Sequence, residues 1–337
     1  MTSETLYRPK GAGHSAPGGE RRRYVQPRQP LLEAFGEWLD GMGNESHPSF
    51  YKNDFYRDRD TRKHLDEETR KAVGKVNLEG VSPAELSSLL LQFPDNENLP
   101  WAGMFLTEAY NQMGEDEIVF DNPLDREICL IGYGLKEGKK LYARGNLGGY
   151  TGYENSGIMV VGDRDDGGMI PSFFGQFSSG TIVSHMDSFN FGGGTGQYIN
   201  FASVGNQLEG APFQDQKDEG AAVNFGNVKK WFGWGSHNML VNCKGIEGSF
   251  GFEAEGIVLA VRGSQTVVSN GTDKPGKLLG LSEEQCAQIP RLVEYFQVME
   301  DVLGPHRPYS EIFAFLDGLD IQRDVRKILV EAGRLEA

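Results

Sequence analysis

The chain has 337 residues, 48 acidic against 33 basic, and a formal net charge of −15. That length holds two or three modest domains, and that charge repels phosphate backbones and anionic membranes, which sets nucleic-acid and membrane-surface roles aside. Three cysteines without a CxxC pair, no apolar run near the roughly 18 residues of a membrane helix, and no secretory core in the first residues give the expectation of a cytoplasmic setting with buried thiols.

Residues 1–28 are rich in Gly, Pro and Arg. Six basic residues there (Arg8, Lys10, Arg21, Arg22, Arg23, Arg28) face only Glu4 and Glu20, a surplus of about +4. With almost nothing to fill a core, the segment reads as a disordered basic tail, and a docking arm for an anionic partner is the other reading. Residues 29–126 form a helical N-terminal region. Leu31, Leu32, Phe35, Trp38 and Leu39 recur at helical spacing, and Gly41 and Gly43 offer a stop. Ser82-Pro83 opens a second helix as cap and first-turn proline. Gly103 to Met113 reads as a third. Between the first two, YKNDFYRDRDTRKHLDEETRK reads as charged surface with aromatic anchors.

From 127 to 268 the pattern changes to strand and turn. Eight short runs align: EICLIGYG, KLYARGNLGG, SGIMVVGD, SGTIVSHM, QYINFASVGN, AAVNFGNV, NMLVNCKG and EGIVLAVRG. After the first pair their starts lie roughly 16 to 24 residues apart, the length of one solenoid coil. GYENSGIMVV and GQFSSGTIVS match best, each with a glycine, a nearby aromatic, a Ser-Gly step and a β-branched run. Stacking such strands builds a continuous core that no single strand could bury, and glycine or asparagine bends the chain at each corner. Asn146, Asn155, Asn190, Asn200, Asn206, Asn224, Asn227, Asn238 and Asn242 fall at or near these corners, where stacked asparagines could bond to each other between coils. An antiparallel barrel or sandwich shares the cadence and stays open. From 269 to 337 helices return: Ser282 and Gln285 form a capping box, Pro290 requires a first turn, Ser310 begins a short helix and Asp320 the last.

The stretch ARGNLGGYTGYENSGIMVVGD resembles the glycine-repeat β-helix (the GXGXG domain) found at the C-terminal end of glutamate synthase large subunits and in formylmethanofuran dehydrogenase. Gly145, Gly148, Gly152, Gly157, Ile158, Val160 and Gly162 carry the likeness, and Gly180 and Gly256 extend the turn pattern. The resemblance implies a structural domain without catalytic residues. The expected fold is therefore α+β: a central right-handed single-stranded β-helix flanked by helical segments that cover the open ends of the stack.

Candidate sites are few. Gly271 to Lys277 has the spacing of a phosphate loop, but Leu278 stands where Ser or Thr should hold magnesium and Pro275 removes a donor, so it reads as a linker turn. Asp163, Asp165, Asp166 and Gly167 begin like a calcium loop, yet Phe174 occupies the twelfth position. GGGTG at 192–196 lacks dinucleotide spacing, and His237 has no partner nearby in sequence. His185 and Asp187 sit two apart on one strand face. With Asp163 and Asp215 they could give an enzyme acting on carbohydrate through carboxylates on the outer face of the coil. Trp231, Phe232 and Trp234 could anchor a protein interface or pack the helical caps. No cofactor and no metal are expected. The favoured expectation is a scaffold or interaction module with a protein partner or a second copy; the enzyme is the alternative.

Overall fold

A computed structural model describes residues 25–44, 59–122, 124, 126–162, 169–170, 174–191, 194–208, 220–227, 231–232, 239–244, 249–250, 256–262 and 279–336. The helices α1 (Gln29–Asn44), α2 (Arg59–Val73), α3 (Pro83–Leu89) and α4 (Ala102–Gln112) precede the strands. The sequence announces α3: the Ser82 side chain and Glu85 form a reciprocal capping box, and Pro83 takes the first turn. Helix α2 is a correction, because 59–73 reads as charged surface. Among its described side chains Leu65, Thr69 and Val73 are buried and Ala72 packs half-buried beside them, on an otherwise mostly charged helix, too thin a stripe to register as periodicity.

Among the described residues, fourteen strands follow in two parallel sheets. The larger contains β1 (Glu117–Asp121), β2 (Lys140–Arg144), β3 (Ile158–Val161), β5 (Thr181–Ser184), β7 (Gln197–Asn200), β9 (Ala221–Asn224), β11 (Met239–Asn242), β13 (Ile257–Ala260) and β14 (Leu279–Leu281), stacked in that order. The smaller takes the alternate strands: β4 (Met169–Ile170), β6 (Asp187–Phe191), β8 (Val204–Leu208), β10 (Trp231–Phe232) and β12 (Ser249–Phe250). From β3 to β13 the chain visits one sheet and then the other, which is the path of a parallel β-solenoid and excludes the antiparallel barrel or sandwich. Register partners on neighbouring coils lie between 16 residues apart, as Thr181 and Gln197 do, and 24, as Asn200 and Asn224 do. Seven of the eight aligned runs supply strands of the large sheet. EICLIGYG does not; in it Ile128 makes only an isolated bridge to Leu147. The large sheet also reaches beyond 127–268, to Glu117 at one end and Leu281 at the other.

Side-chain alternation divides the large sheet into two rows. Met159, Ile182, Tyr198, Ala222, Leu240 and Val258 are register partners and belong to a core continuous with the N-terminal helices. Their neighbours Val160, Val183, Ile199, Val223, Val241 and Leu259 form a second row inside the other core. That core is completed by Leu292, Phe296 and Met299 of α6 (Pro290–Leu303), Ile312 and Phe313 of α7 (Tyr309–Leu316), and Val325 and Leu329 of α8 (Ile321–Glu331). The short α5 (Glu283–Ala287), capped by Ser282 and Gln285, packs against β13 and β14.

The flanking helices therefore play two different roles. The N-terminal helices cap the β1 end, where α3 packs on β1 and the Tyr110 hydroxyl of α4 lies 2.9 Å from the Lys140 carbonyl. The C-terminal helices, expected over the other open end, lie instead along the flat outer face of the large sheet. They touch it from Lys140, which bonds Asp317 at 2.6 Å, through Gln197, which donates to the Leu319 carbonyl at 2.8 Å, to Arg262, paired with Glu300 at 2.9 Å. The reason is legible in the strands: AAVN, MLVN and IVLA are buried at every position. A strand buried on both faces needs a covering layer on each.

Candidate functional site

Two columns of residues run along the stack and fix its geometry. In the first, Gly157, Gly180, Gly196 and Gly220 each stand immediately before a strand. A Cβ on Gly180 would strike the Gly157 carbonyl oxygen, one on Gly196 that of Gly180, and one on Gly220 that of Gly196. The same carbonyls accept from the next strand: Thr181 N donates to Gly157 O at 3.0 Å, Gln197 N to Gly180 O at 2.9 Å, and Ala221 N to Gly196 O at 3.0 Å. These glycines are required by close approach. Gly152, at φ +68°, is required instead by a left-handed turn. Of the other turn glycines, Gly145 is left-handed, while Gly148 and Gly162 have no room for a Cβ beside Cys129 and Tyr142 respectively. Gly256 precedes β13, and its carbonyl accepts from Leu279 N at 3.3 Å.

The second column is the asparagine ladder, buried at Asn200, Asn224 and Asn242. Asn200 Nδ2 donates to Asn224 Oδ1 at 2.8 Å, and Asn224 Nδ2 donates to Asn242 Oδ1 at 2.9 Å. The three amides also bond the backbone two residues on, at Ala202, Gly226 and Lys244. Each amide thereby closes its own corner, and Asn200 and Asn224 tie theirs to the next. Ser184, the register partner of Asn200 on the preceding coil, closes its corner alone by donating to Met186 O at 2.9 Å.

The candidate catalytic residues do not converge where they are described. His185 and Asp187 do not share a strand face: His185 follows β5, and Asp187 opens β6 in the other sheet. The His185 ring is buried, lies beside Phe201 at 5.3 Å, and its Nε2 donates to the Leu303 carbonyl at 2.7 Å, pinning α6 to the coil. Asp187 is exposed and accepts from Ser203 N at 2.7 Å. The corner at Met186 turns the two apart. Asp163 and Asp215 lie outside the described residues, as do Trp234, His237, the acidic turn at 163–167, the phosphate-loop-like 271–277 and the tail before 25. Trp231 and Phe232 are placed by their backbone alone, in β10 between β8 and β12. Phe232 registers with Phe250, which is buried; Trp231 occupies the alternate position. Among the described residues no group of three or more His, Cys, Asp or Glu could hold a metal.

The thiols of Cys129, Cys243 and Cys286 are buried and free of disulfides. Burial pushes Cys129 and Cys286 up to about 12, with Glu127 adding to the effect at Cys129, and raises Cys243 as well. Almost no thiolate exists near neutral pH. Reaction of the native chain with a thiol reagent such as Ellman's at about pH 8 should be on the order of a thousandfold slower than in guanidinium. Rapid titration of any thiol in the native protein would contradict this burial.

One constellation has no counterpart among the sequence motifs. Asp66 of α2 lies over a coil corner where the Tyr133 and Tyr153 rings stack at 5.7 Å and 8°. Tyr133 Oη donates to Asp66 Oδ2 at 3.5 Å, and burial pushes the Asp66 carboxyl up to about 6. The signal available in the sequence is one aspartate in a charged run whose helical register is faint.

These features define a parallel β-solenoid with a helical cap at its first end and a helical layer along one face. No helix among the described residues is long and apolar enough to cross a membrane. Comparison with protein-family models, curated proteins and solved structures finds no match to this chain.

Proposed function

We propose that the protein is a non-catalytic scaffold, an interaction module built on a glycine-rich solenoid. The observation that carries this reading is the pair of apolar rows in register on both faces of the large sheet, one inside the coil and one under the C-terminal helices. Locked between two cores and laced by amide and glycine columns, the sheet is a rigid platform that can hold a surface in fixed geometry for a partner. The finer likeness, to the glycine-repeat β-helix of glutamate synthase large subunits, is supported by left-handed Gly152 and Gly175 at successive corners and by the close-packed glycines before the strands. It points the same way, towards structure without catalysis, and a protein partner in a cytoplasmic setting fits it.

The segment around Trp231 and Trp234 is the candidate interface. Among the described residues the C-terminal helices draw their strand partners in the core from the large sheet, whereas β10 belongs to the small one. That placement favours an interface over a role in packing those helices. Affinity purification of the full chain should recover one stoichiometric partner. Trp231→Ala or Trp234→Ala should weaken its retention at least tenfold, about 1.4 kcal/mol or more, with the thermal midpoint unchanged. Recovery of nothing, or equal retention by both variants, would count against the scaffold reading.

A further inference from the structure

Helix α2 is fastened unlike the rest of the N-terminal cap. Among its described side chains it buries Leu65, Thr69 and Val73, and Thr69 accepts from the Trp38 indole of α1 at 3.2 Å. Among the described residues, its side-chain contacts with the solenoid meet at one spot, the corner formed by Tyr133-Gly134 and Tyr153-Glu154. Arg62 lies 6.0 Å above the Tyr153 ring and 3.9 Å from Glu154 Oε1. One turn further along, Asp66 is set over Tyr133. The helix thus holds a half-buried carboxyl group against an aromatic stack, where less solvent supports a charge than at the open surface.

We propose that α2 is a proton-operated latch on the first coils of the solenoid, seated while the Asp66 carboxyl is neutral and loosened as it ionises. The groups facing Asp66 come from three elements. Tyr133 and Glu154 belong to the coil corner, Arg70 to α2 itself and Glu108 to α4. The Tyr133 hydrogen bond and Arg70 favour the charged carboxylate, Glu154 and Glu108 oppose it, and burial, the largest influence, opposes it too. Their balance lifts the carboxyl to about 6 from its ordinary 3.8. A raised acid means that the seated form binds more protons than the released form between those two values. The stabilisation is complete below the ordinary carboxylate range and disappears as pH rises through about 6. Opening would uncover the stacked Tyr133 and Tyr153 rings. A helix with so few buried apolar side chains is the kind of element that opens locally while the remainder stays folded.

Native-state hydrogen exchange on the full chain reads this directly. After correction for intrinsic exchange, protection of the α2 amides should fall several-fold between about pH 5 and about pH 7.5, with about tenfold as the upper bound set by the full shift, because Asp66 is only partly buried. The α4 amides should hold their protection. Asp66→Asn, which keeps the shape and removes the charge, should hold α2 protection at its low-pH level throughout. Tyr133→Phe should keep a pH response and move it to higher pH, because the bond that favours the carboxylate is lost. The proposal is overturned if wild-type α2 shows no pH step, if α4 loses protection in parallel, or if Asp66→Asn retains the step.

Discussion

Replacing Gly180 with alanine should lower the thermal midpoint by roughly 5–10 °C, a loss of about 3–4 kcal/mol, although alanine is the smallest possible addition. Gly180 does not adopt positive φ, so no torsional penalty applies. The cost is contact between backbones: the new methyl overlaps the Gly157 carbonyl, and Gly157 O is already occupied by Thr181 N at 3.0 Å. Neither chain can retreat without stretching a bond between coils, because Gly180 O is in turn held by Gln197 N at 2.9 Å. Main-chain atoms inside a stack cannot swing aside as a side chain would, which places this substitution at the severe end of overpacking. Gly41→Ala is the matched control. Gly41 lies in α1 with nothing within 4 Å of a Cβ, so the same change should raise stability by up to about 1 kcal/mol through helix propensity. Chemical denaturation of both variants measures the contrast. Equal effects would mean that the coils are not stacked at this glycine.

Asn224→Ala should cost about 3–5 kcal/mol, more than Asn200→Ala or Asn242→Ala, because its neighbours lose several buried bonds at once. Asn224 is the middle rung. It donates to Asn242 Oδ1 at 2.9 Å and to Gly226 O at 2.9 Å, and it accepts from Asn200 Nδ2 at 2.8 Å and from Gly226 N at 3.2 Å. Truncation strips these partners of a bond in a site with no solvent, and buried polar groups left unmade cost about 1–3 kcal/mol each before relaxation. Asn224→Asp should be worse near neutral pH, since a carboxylate has no donor for Asn242 Oδ1 or Gly226 O, and it should recover partly in acid. A double-mutant cycle between Asn200 and Asn224 should return a coupling of about 1 kcal/mol or more. Additive losses would show that the two amides do not touch.

Much of this architecture can be read from residues alone. Four-residue apolar runs such as TIVS, AAVN and MLVN are too short for helices and recur at the period of a coil, so the large sheet follows from them. Asparagines at the corners are legible as a class, but that Asn200, Asn224 and Asn242 are the ones that stack is not, because their partners depend on the register between coils. Local caps are the most legible features: Ser82, Ser282 and Asp320 sit at the helix starts they signal. The small sheet is harder to see, because β4, β10 and β12 are two residues each and carry no periodicity. The position of the C-terminal helices is not legible in their own residues, because helical faces reveal that they are apolar and leave open what they cover. The decisive clue lies in the strands, buried on both faces. The pairing of His185 with Asp187 rests on period-two alternation, which fails once a corner intervenes. Asp66 is invisible without α2, since its environment is created by tyrosines far along the chain.

The measurement that bears most directly on the stacked-coil account is the set of hydrogen bonds between coils, observed as trans-hydrogen-bond couplings by NMR in labelled protein. Parallel stacking in the register described predicts couplings from Phe225 N to Asn200 C=O, from Cys243 N to Asn224 C=O and from Val261 N to Asn242 C=O, three successive rungs at one position. Couplings that instead join 221–224 to 197–200 in antiparallel order, or that join each segment only to its own neighbours as a helix would, contradict the solenoid and the scaffold reading with it.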